Sequence, residues 1–267
     1  MDLRLQGKTA LVTGSTSGIG AGIATALARE GVAVVINGRS ETKADAVRGE
    51  IEQAGGKAHI VLGNVETDAG AKAVVEGALA AVGQIDILVN NVGGPIEGRT
   101  GFFETSVEEW AENFNSNVIS NIRMLHLLVP GMRERGWGRV INIGSRNSIS
   151  PHNNMPSYGA SKAGVNNLSL GLSKELAFTG VTSNTIMPGL IYTSQLDTFL
   201  ENIANRQFEG DTEKARLFVL DNVCRQTVKR LGQVEDIARY VCFLASPGAD
   251  FITGTTLRID GGSTPTV

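Results

Sequence analysis

Residues 13–20 read T-G-S-T-S-G-I-G and directly follow a short apolar run at residues 9–12. Glycine lets a chain turn sharply and lets backbone N–H groups approach a ligand closely. After the loop, apolar side chains recur at helical spacing at Ile19, Ile23 and Leu27. A helix that begins at such a loop offers unpaired N–H groups and the positive end of its dipole to a phosphate. The stretch therefore predicts a strand–loop–helix unit that holds the pyrophosphate of a dinucleotide.

The rest of the chain repeats this alternation of strand and helix. Short runs rich in β-branched and other apolar residues recur between longer stretches of helical character. Such runs are typical of strands buried on both faces, as in a parallel sheet covered by helices. We expect an α/β fold: one doubly wound Rossmann-type domain over residues 1–267, with a seven-stranded, mainly parallel sheet and helices on both faces. The seven runs are residues 9–12, 32–36, 59–62, 85–89, 140–143, 182–187 and 256–259.

Composition and charge narrow the functional classes. With 42% hydrophobic and 19% charged residues, the 267-residue chain can bury a substantial core. A net charge of −3 without a basic stripe gives no support to nucleic-acid or anionic-membrane binding. No run approaches the roughly 18 apolar residues of a membrane span, and the N-terminus does not resemble a signal peptide. Cys224 and Cys242 have no metal-ligating neighbour at a useful spacing, so we expect no metal, two reduced packing residues and a cytoplasmic protein.

Residues 193–229 stand apart from the alternating pattern. This segment is polar and helical in character, and it contains no strand signal. An insertion of this kind in an α/β domain is often a lid or a binding loop. We therefore expect a substrate-binding lid there; the alternative is an ordinary pair of surface helices.

The end of the second predicted strand bears on the choice of nicotinamide cofactor. No acidic residue precedes Glu41 there, whereas an acid would accept a hydrogen bond from a ribose 2′-hydroxyl and repel a phosphate. Arg39 could pair with a 2′-phosphate, although a solvated turn arginine is the simpler alternative. The position favours NADP(H), with NAD(H) still possible. After the third strand, Asn64 and Val65 could hold adenine, and after the fourth, Asn91 and Gly93 could brace the strands, contact the cofactor or do both.

Candidate catalytic residues lie in the second half of the chain. Tyr158 and Lys162 are four residues apart, so on a helix they share one face. A free tyrosine has a pKa near ~10, and a nearby ammonium would lower it, so that Tyr158 could exchange a proton with a substrate oxygen. Ser145 follows the fifth predicted strand, at the sheet edge where ligands bind, and could hydrogen-bond the same oxygen.

In these motifs the chain resembles the short-chain dehydrogenase/reductase family, in the subtype with a T-G-x-x-x-G-x-G loop and a Y-x-x-x-K pair. The similarity runs from about Leu5 to Gly262 and includes the N-N-V-G block at residues 90–93 and the I-D-G-G block at residues 259–262. It departs from the family at Asn64, where many members have Asp, and at Val92, where Ala is usual. The resemblance implies hydride transfer between a nicotinamide and a carbonyl/alcohol pair, and a homotetramer as the common assembly.

Residue roles follow from the same resemblance. It implies that Tyr158 is the general acid/base, that Lys162 lowers its pKa and holds the nicotinamide ribose, and that Ser145 binds the substrate oxygen. It also implies that Asn117 supports a water-mediated proton relay. The predicted catalytic set is therefore Asn117, Ser145, Tyr158 and Lys162. The predicted cofactor contacts are Gly14, Ser15, Ser17, Gly18, Ile19, Gly20, Arg39, Asn64, Val65, Asn91, Gly93, Tyr158, Lys162, Pro188, Gly189, Ile191 and Thr193.

The substrate is less defined than the reaction. The strip after Ser145 is polar, and its residues Arg146, Asn147 and His152 favour a small sugar, polyol or carboxylate-bearing substrate over an acyl chain. The alternative is that these residues form a solvated loop. An alternative within the family is a 3-oxoacyl-thioester reductase, because those enzymes share the whole motif set. An alternative of another class is a non-catalytic dinucleotide sensor or scaffold, which has no need to keep all four catalytic residues.

Overall fold

The computed structural model describes residues 2–95 and 101–265. Within them the strands form one seven-stranded sheet in the order β3-β2-β1-β4-β5-β6-β7, with every pairing parallel. The expected doubly wound α/β fold is confirmed, and the sheet is parallel throughout rather than mainly so. The strands are β1 Thr9–Val12, β2 Ala33–Gly38, β3 Lys57–Leu62, β4 Ile87–Asn90, β5 Gly138–Ile143, β6 Val181–Pro188 and β7 Thr256–Ile259.

Helices connect the strands and cover both faces of the sheet. Two short π-helical turns, Asn115–Ile119 and Val219–Val223, directly follow α4 and α8. The helices are α1 Gly18–Arg29, α2 Glu41–Gln53, α3 Asp68–Val82, α4 Val107–Phe114, α5 Ser120–Glu134, α6 Pro156–Glu175, α7 Ser194–Gln207, α8 Thr212–Phe218 and α9 Val234–Ala245.

Each face of the sheet has its own apolar core. Alternate residues of a strand point to opposite faces, so Val12 and Val89 pack with α1, α2 and α9, whereas Leu11 and Leu88 pack with α3 and α5. Burial on both faces explains why the strands read as continuous apolar runs. A third, smaller cluster lies outside these two layers and includes Leu196 and Leu200 of α7.

The direction in which the strand order grows reverses between β1 and β4. β1 pairs with β2 on one side and with β4 on the other. Chain connections leave this point in opposite directions, which opens a crevice beyond the carboxyl ends of the strands. The fold therefore places the loop after β1 and the loop after β4 on the two sides of a binding crevice.

Polar caps fix the starts of several helices. The side chains of Ser40 and Thr67 accept hydrogen bonds from the backbone N–H groups of Lys43 and Gly70, and Ser106 begins α4 with a capping box. In the described part of the chain, no helix is long and apolar enough to cross a membrane.

Candidate active site

Two adjoining cavities fill the crevice at the carboxyl ends of the strands. The first, of about 350 Å³, lies beside Gly38 and Asn64, and the second, of about 410 Å³, lies beside Tyr158 and Ile191. Ser17, Asn91, Gly93, Gly94 and Pro95 line both, so the cavities form one continuous trough across the switch point. Of the predicted cofactor contacts, the trough is lined by Gly14, Ser17, Gly18, Ile19, Gly20, Arg39, Asn64, Val65, Asn91, Gly93, Tyr158, Gly189, Ile191 and Thr193.

The glycine loop has the backbone geometry that a phosphate cradle needs. Gly14 and Gly18 have φ angles of 63° and 55°, a left-handed conformation that favours glycine. A Cβ at Gly20 would collide with the carbonyl oxygen of Gly14, so this glycine lets α1 pack closely on the loop. Helix α1 starts without a side-chain cap or an acidic residue in its first turn. Its first N–H groups and its positive dipole end therefore face the trough with no acidic residue in the first turn of the helix, and these residues fit a dinucleotide pyrophosphate.

Ser15 braces the loop from below and does not line the trough. It is fully buried, and its hydroxyl donates to the carbonyl oxygen of Val12 and accepts from the N–H of Asn37 at 3.0 Å. Its own N–H donates to the carbonyl oxygen of Asn37 at 2.8 Å. Both polar groups of Ser15 are thus used inside the protein, so the structure gives it a bracing position between β1 and β2.

The amide of Asn91 has a comparable bracing function at the other side of the trough. Its Nδ2 donates to the carbonyl oxygens of Thr13 and Gly14 at 3.0 and 3.1 Å. This ties the loop after β4 to the loop after β1, while Asn91 still lines both cavities. Pro188 and Lys162, predicted as cofactor contacts, lie behind the trough wall and are buried.

Two cations lie at the mouth of the trough. Arg39 is exposed at the end of the first cavity and pairs with no carboxylate within residues 2–95 and 101–265. Lys43 is exposed on the first turn of α2 and lines the second cavity with Ser17 and Gly18. The sequence analysis did not identify Lys43. Its position one helical turn after Arg39 was the available signal, because both residues then flank the same loop.

Tyr158, Ser145 and Lys162 come together at the inner end of the trough. The Nζ of Lys162 lies 5.9 Å from the centre of the Tyr158 ring and donates to the carbonyl oxygen of Ile143 at 2.8 Å. Burial lowers the pKa of Lys162 to about 8, because desolvation disfavours its charged form. The N-terminal half of α6 thus carries both side chains, as their four-residue spacing predicted.

The direction of the Tyr158 pKa differs from the sequence-based expectation. Burial raises the pKa of Tyr158, and the hydrogen bond with Ser145 opposes that rise in part. The net direction is thus opposite to the expected lowering, because the desolvation of the phenolate outweighs the hydrogen bond with Ser145. At neutral pH the hydroxyl is consequently protonated and available as a donor.

Asn117 lies beneath this group, in the π-helical turn between α4 and α5. It is fully buried, and its Nδ2 donates to the carbonyl oxygens of Gly94 and Asn113 at 3.2 and 3.0 Å. Its Oδ1 is buried and has no partner within the described residues, so it can accept from a further donor. A Cβ at Gly93 would collide with this oxygen, which explains the glycine there.

A third cavity, of about 140 Å³, adjoins the inner end of the trough. Its polar side comprises Ser145, Arg146, Asn147, His152 and Asn154, which includes every predicted substrate contact. The rest of the lining is largely apolar. The apolar helical spacing of Leu196 and Phe199 within residues 193–229 predicted part of it, whereas Leu190, Val219, Val223 and Cys224 depend on how that segment folds back. Within the described residues, no group of three His, Cys, Asp or Glu side chains is placed to hold a metal ion.

Comparisons with known proteins agree with this geometry. Residues 8–203 match the family described as short chain dehydrogenase. The chain is 38% identical to the uncharacterized oxidoreductase YvaG of Bacillus subtilis over 262 residues, which cover 98% of each protein. It is 36% identical to the 3-oxoacyl-[acyl-carrier-protein] reductase FabG of Haemophilus influenzae, over 97% of this chain and 98% of that one.

A solved structure extends the likeness to three dimensions. L-sorbose reductase from Gluconobacter frateurii, in complex with NADPH and L-sorbose, superposes with a TM-score of 0.94. The two proteins are 32% identical, and the match covers 100% of both chains.

Proposed function

Because the chain belongs to the short-chain dehydrogenase family and is an NAD(P)-dependent oxidoreductase, we propose that it uses NADP(H) to interconvert a carbonyl and a secondary alcohol on a small polar substrate. One observation carries this proposal. Tyr158 lines the trough, its hydrogen-bond partner Ser145 lines the third cavity, and Gly189 and Leu190 line both. The acid/base group thus lies where a bound dinucleotide and a substrate would meet.

The protein's own groups divide the proton chemistry between them. When bound, the nicotinamide supplies or accepts the hydride. In the reducing direction, the protonated Tyr158 donates its proton to the carbonyl oxygen as negative charge develops there. Ser145 donates a second hydrogen bond to that oxygen and stabilises the charge. The Lys162 ammonium lies close enough to stabilise the phenolate that remains, and the free acceptor of Asn117 supports a water that returns a proton.

Cofactor choice is proposed from charge. Arg39 and Lys43 place two cations at the adenosine side and the mouth of the trough, and neither forms an ion pair with any residue that the structure describes. Neither β2 nor its loop presents an acid before Glu41. A 2′-phosphate would find charge-assisted donors there.

The proposal also covers the oligomeric state and the cellular location of the protein. We assign a homotetramer from the family resemblance, and exposed apolar side chains on α4, α5 and α6, such as Val107, Leu127 and Leu170, support packing between subunits. We assign the cytoplasm because Cys224 and Cys242 are both free thiols.

The substitution Tyr158→Phe tests the proposed chemistry. It removes the exchangeable proton and keeps the ring, so kcat for carbonyl reduction is expected to fall by about 10²–10⁴-fold. The Kd for NADPH, measured by fluorescence titration, is expected to stay within a few-fold of wild type. The exposed Tyr240→Phe serves as the matched control and is expected to keep full activity.

Carbonyl reduction by the wild-type enzyme and by the variants is measured with a panel of substrates: ketoses, keto acids, an activated diketone and a 3-oxoacyl thioester. Activity of Tyr158→Phe near the wild-type level would contradict the acid/base assignment. Preferred turnover of the thioester would replace a small polar substrate with an acyl chain. Tight NADPH binding without turnover of any compound would favour a sensor.

A further inference from the structure

The substrate cavity contains a cation without an acid. Among the described residues that line it there is neither Asp nor Glu, whereas Arg146 lies directly beside Ser145 on the polar side. The Arg146 side chain is half-buried and forms no ion pair within the described part of the chain. A partly desolvated charge is stabilised when it is paired, so this position favours an anion supplied by the ligand.

The guanidinium is held in place yet keeps most of its donors available. Within the described residues, the guanidinium makes one hydrogen bond, and it is long: 3.5 Å from Nη1 to the carbonyl oxygen of Ser263. A guanidinium has five N–H donors in a rigid fork, so most of them have no protein acceptor here. Its charge also acts on the buried Cys224, whose pKa burial raises and Arg146 lowers. Arg146 and Cys224 both line the cavity, so the positive charge lies beside it.

Two neighbouring groups are suited to hydroxyls. The Nδ1 of His152 and the Oδ1 of Asn154 are buried and have no partner within the described residues. Both residues line the same cavity as Arg146. Buried polar atoms are normally hydrogen-bonded, so a ligand with O–H groups would satisfy them.

We propose that the substrate is a small hydroxylated keto acid whose carboxylate binds Arg146 while its carbonyl lies at Ser145 and Tyr158. This assignment rests on the proposed carbonyl chemistry. A carboxylate fits the planar guanidinium through two parallel hydrogen bonds. A phosphate dianion fits less well, because the described lining of this 140 Å³ cavity contains a single Arg or Lys.

Matched substrates test the charge directly. L-sorbose and 5-keto-D-gluconate differ only in a terminal hydroxymethyl group or carboxylate, and levulinate differs from its methyl ester by the negative charge and one methyl group. We expect kcat/KM of the wild-type enzyme to favour the anionic member of at least one pair by 10-fold or more. Arg146→Met is expected to lower kcat/KM for that anion by about 10–150-fold more than for its neutral partner. Arg146→Lys, which keeps the charge without the fork, is expected to restore part of the preference.

Arg133→Met, on the exposed surface of α5, removes one positive charge away from the cavity and is expected to leave the anion-to-neutral ratio unchanged. Equal losses for both members of a pair in Arg146→Met, or a wild-type preference for the neutral member, would overturn the carboxylate assignment. A higher kcat/KM for dihydroxyacetone phosphate than for the carboxylate substrates would also overturn it. These outcomes differ from a failure of the proposed function, in which no carbonyl compound of either charge is reduced.

Discussion

At the residue scale, the proposed preference for NADP(H) can be tested at one of the two exposed cations beside the trough. Arg39 lies after β2 at the adenosine side of the trough and has no carboxylate partner in the described ranges. An exposed arginine contributes little to folding, so its substitution reports on the ligand. A substitution of Arg39 therefore tests binding of the 2′-phosphate with little effect on folding.

Arg39→Ala is expected to lower kcat/KM for NADPH by about 10–150-fold, since a charge-assisted contact contributes about 1.5–3 kcal/mol. The value for NADH is expected to change by less than about three-fold, because a 2′-hydroxyl carries no charge for Arg39 to bind. Steady-state kinetics with both cofactors gives the two ratios. Arg48→Ala removes a cation from the same helix-loop region, where Arg48 pairs with Asp45, and is the control. Equal losses with NADPH and NADH, or wild-type preference for NADH, would exclude the NADP(H) assignment.

The sequence predicts a site residue well when the neighbouring residues along the chain alone fix the position of its side chain. Gly18, Tyr158 and Lys162 were found because loop geometry and helix periodicity fix their positions over a few residues. Ser15 is local too, yet its side chain points inward, and which way it points depends on Asn37 of the neighbouring strand. Cys224 required the tertiary fold, because it reaches the substrate cavity from the turn after α8. Lys43 had a local signal, its position four residues after Arg39, which was not used.

At the element scale, residues 193–229 form a unit of their own. Leu196 and Leu200 of α7 pack against Val219, Leu220 and Cys224 and not into the two layers that flank the sheet. The segment also leaves and returns at one point, where Ile191 bridges Gly232 and the Tyr192 N–H donates to the carbonyl oxygen of Gly232 at 2.7 Å. The N–H groups of Thr227 and Val228 also donate to the carbonyl oxygen of Gly261, so the proposed movement concerns the residues before them. A cluster of its own and adjacent ends support the proposed lid.

Limited trypsin digestion tests the movement of the lid. The apo protein is expected to be cut within residues 193–229, which include Arg206, Lys214 and Arg225. Added NADPH and a substrate analogue together are expected to protect these sites at least several-fold, because closure buries the segment. Cleavage sites outside the segment provide the internal control. Digestion that is absent, or equally fast in the apo and ternary samples, would leave an ordinary pair of surface helices.

The elements themselves were largely predictable from the sequence. The runs at residues 9–12 and 256–259 coincide with β1 and β7, because turn residues bound both ends of an apolar stretch. β3 begins two residues earlier than expected, at Lys57, because parallel pairing with Ala33 of β2 extends it past the apolar run. Hydrophobicity marks the buried part of a strand, whereas the neighbouring strand decides where pairing stops.

At the scale of the whole molecule, a buried arginine joins distant parts of the chain at the edge opposite the active site. Arg139 of β5 is only 2% exposed. It donates to the carbonyl oxygens of Gly138, Gly180 and Ser246 and lies 4.6 Å from the centre of the Trp137 ring. The side chain thus connects β5 with the end of α9 and with the turn before β6.

Arg139→Met is expected to lower the free energy of unfolding by about 2–4 kcal/mol, because carbonyl oxygens stay buried without their donor. Urea denaturation followed by circular dichroism measures this change. The kcat of the folded enzyme is expected to stay within about two-fold, since Arg139 lies at the amino ends of the strands. Arg29→Met, at an exposed position near the end of α1, is the control. Surface substitutions typically change the free energy of unfolding by up to about 0.5 kcal/mol, so a smaller change in Arg139→Met would contradict its role in joining these elements.

Recognition of the adenosine part of the cofactor is separated from recognition of the substrate along the chain as well as in space. The groups proposed to bind adenosine lie before residue 95, in the loops after β1, β2, β3 and β4, whereas those proposed to bind the substrate lie after residue 144. Substitutions at distant positions without shared partners have additive effects on free energy. One lineage of such chains can therefore acquire a new substrate by changing its second half alone and inherit its cofactor unaltered, and an engineer can exchange the cofactor without redesigning the substrate cavity.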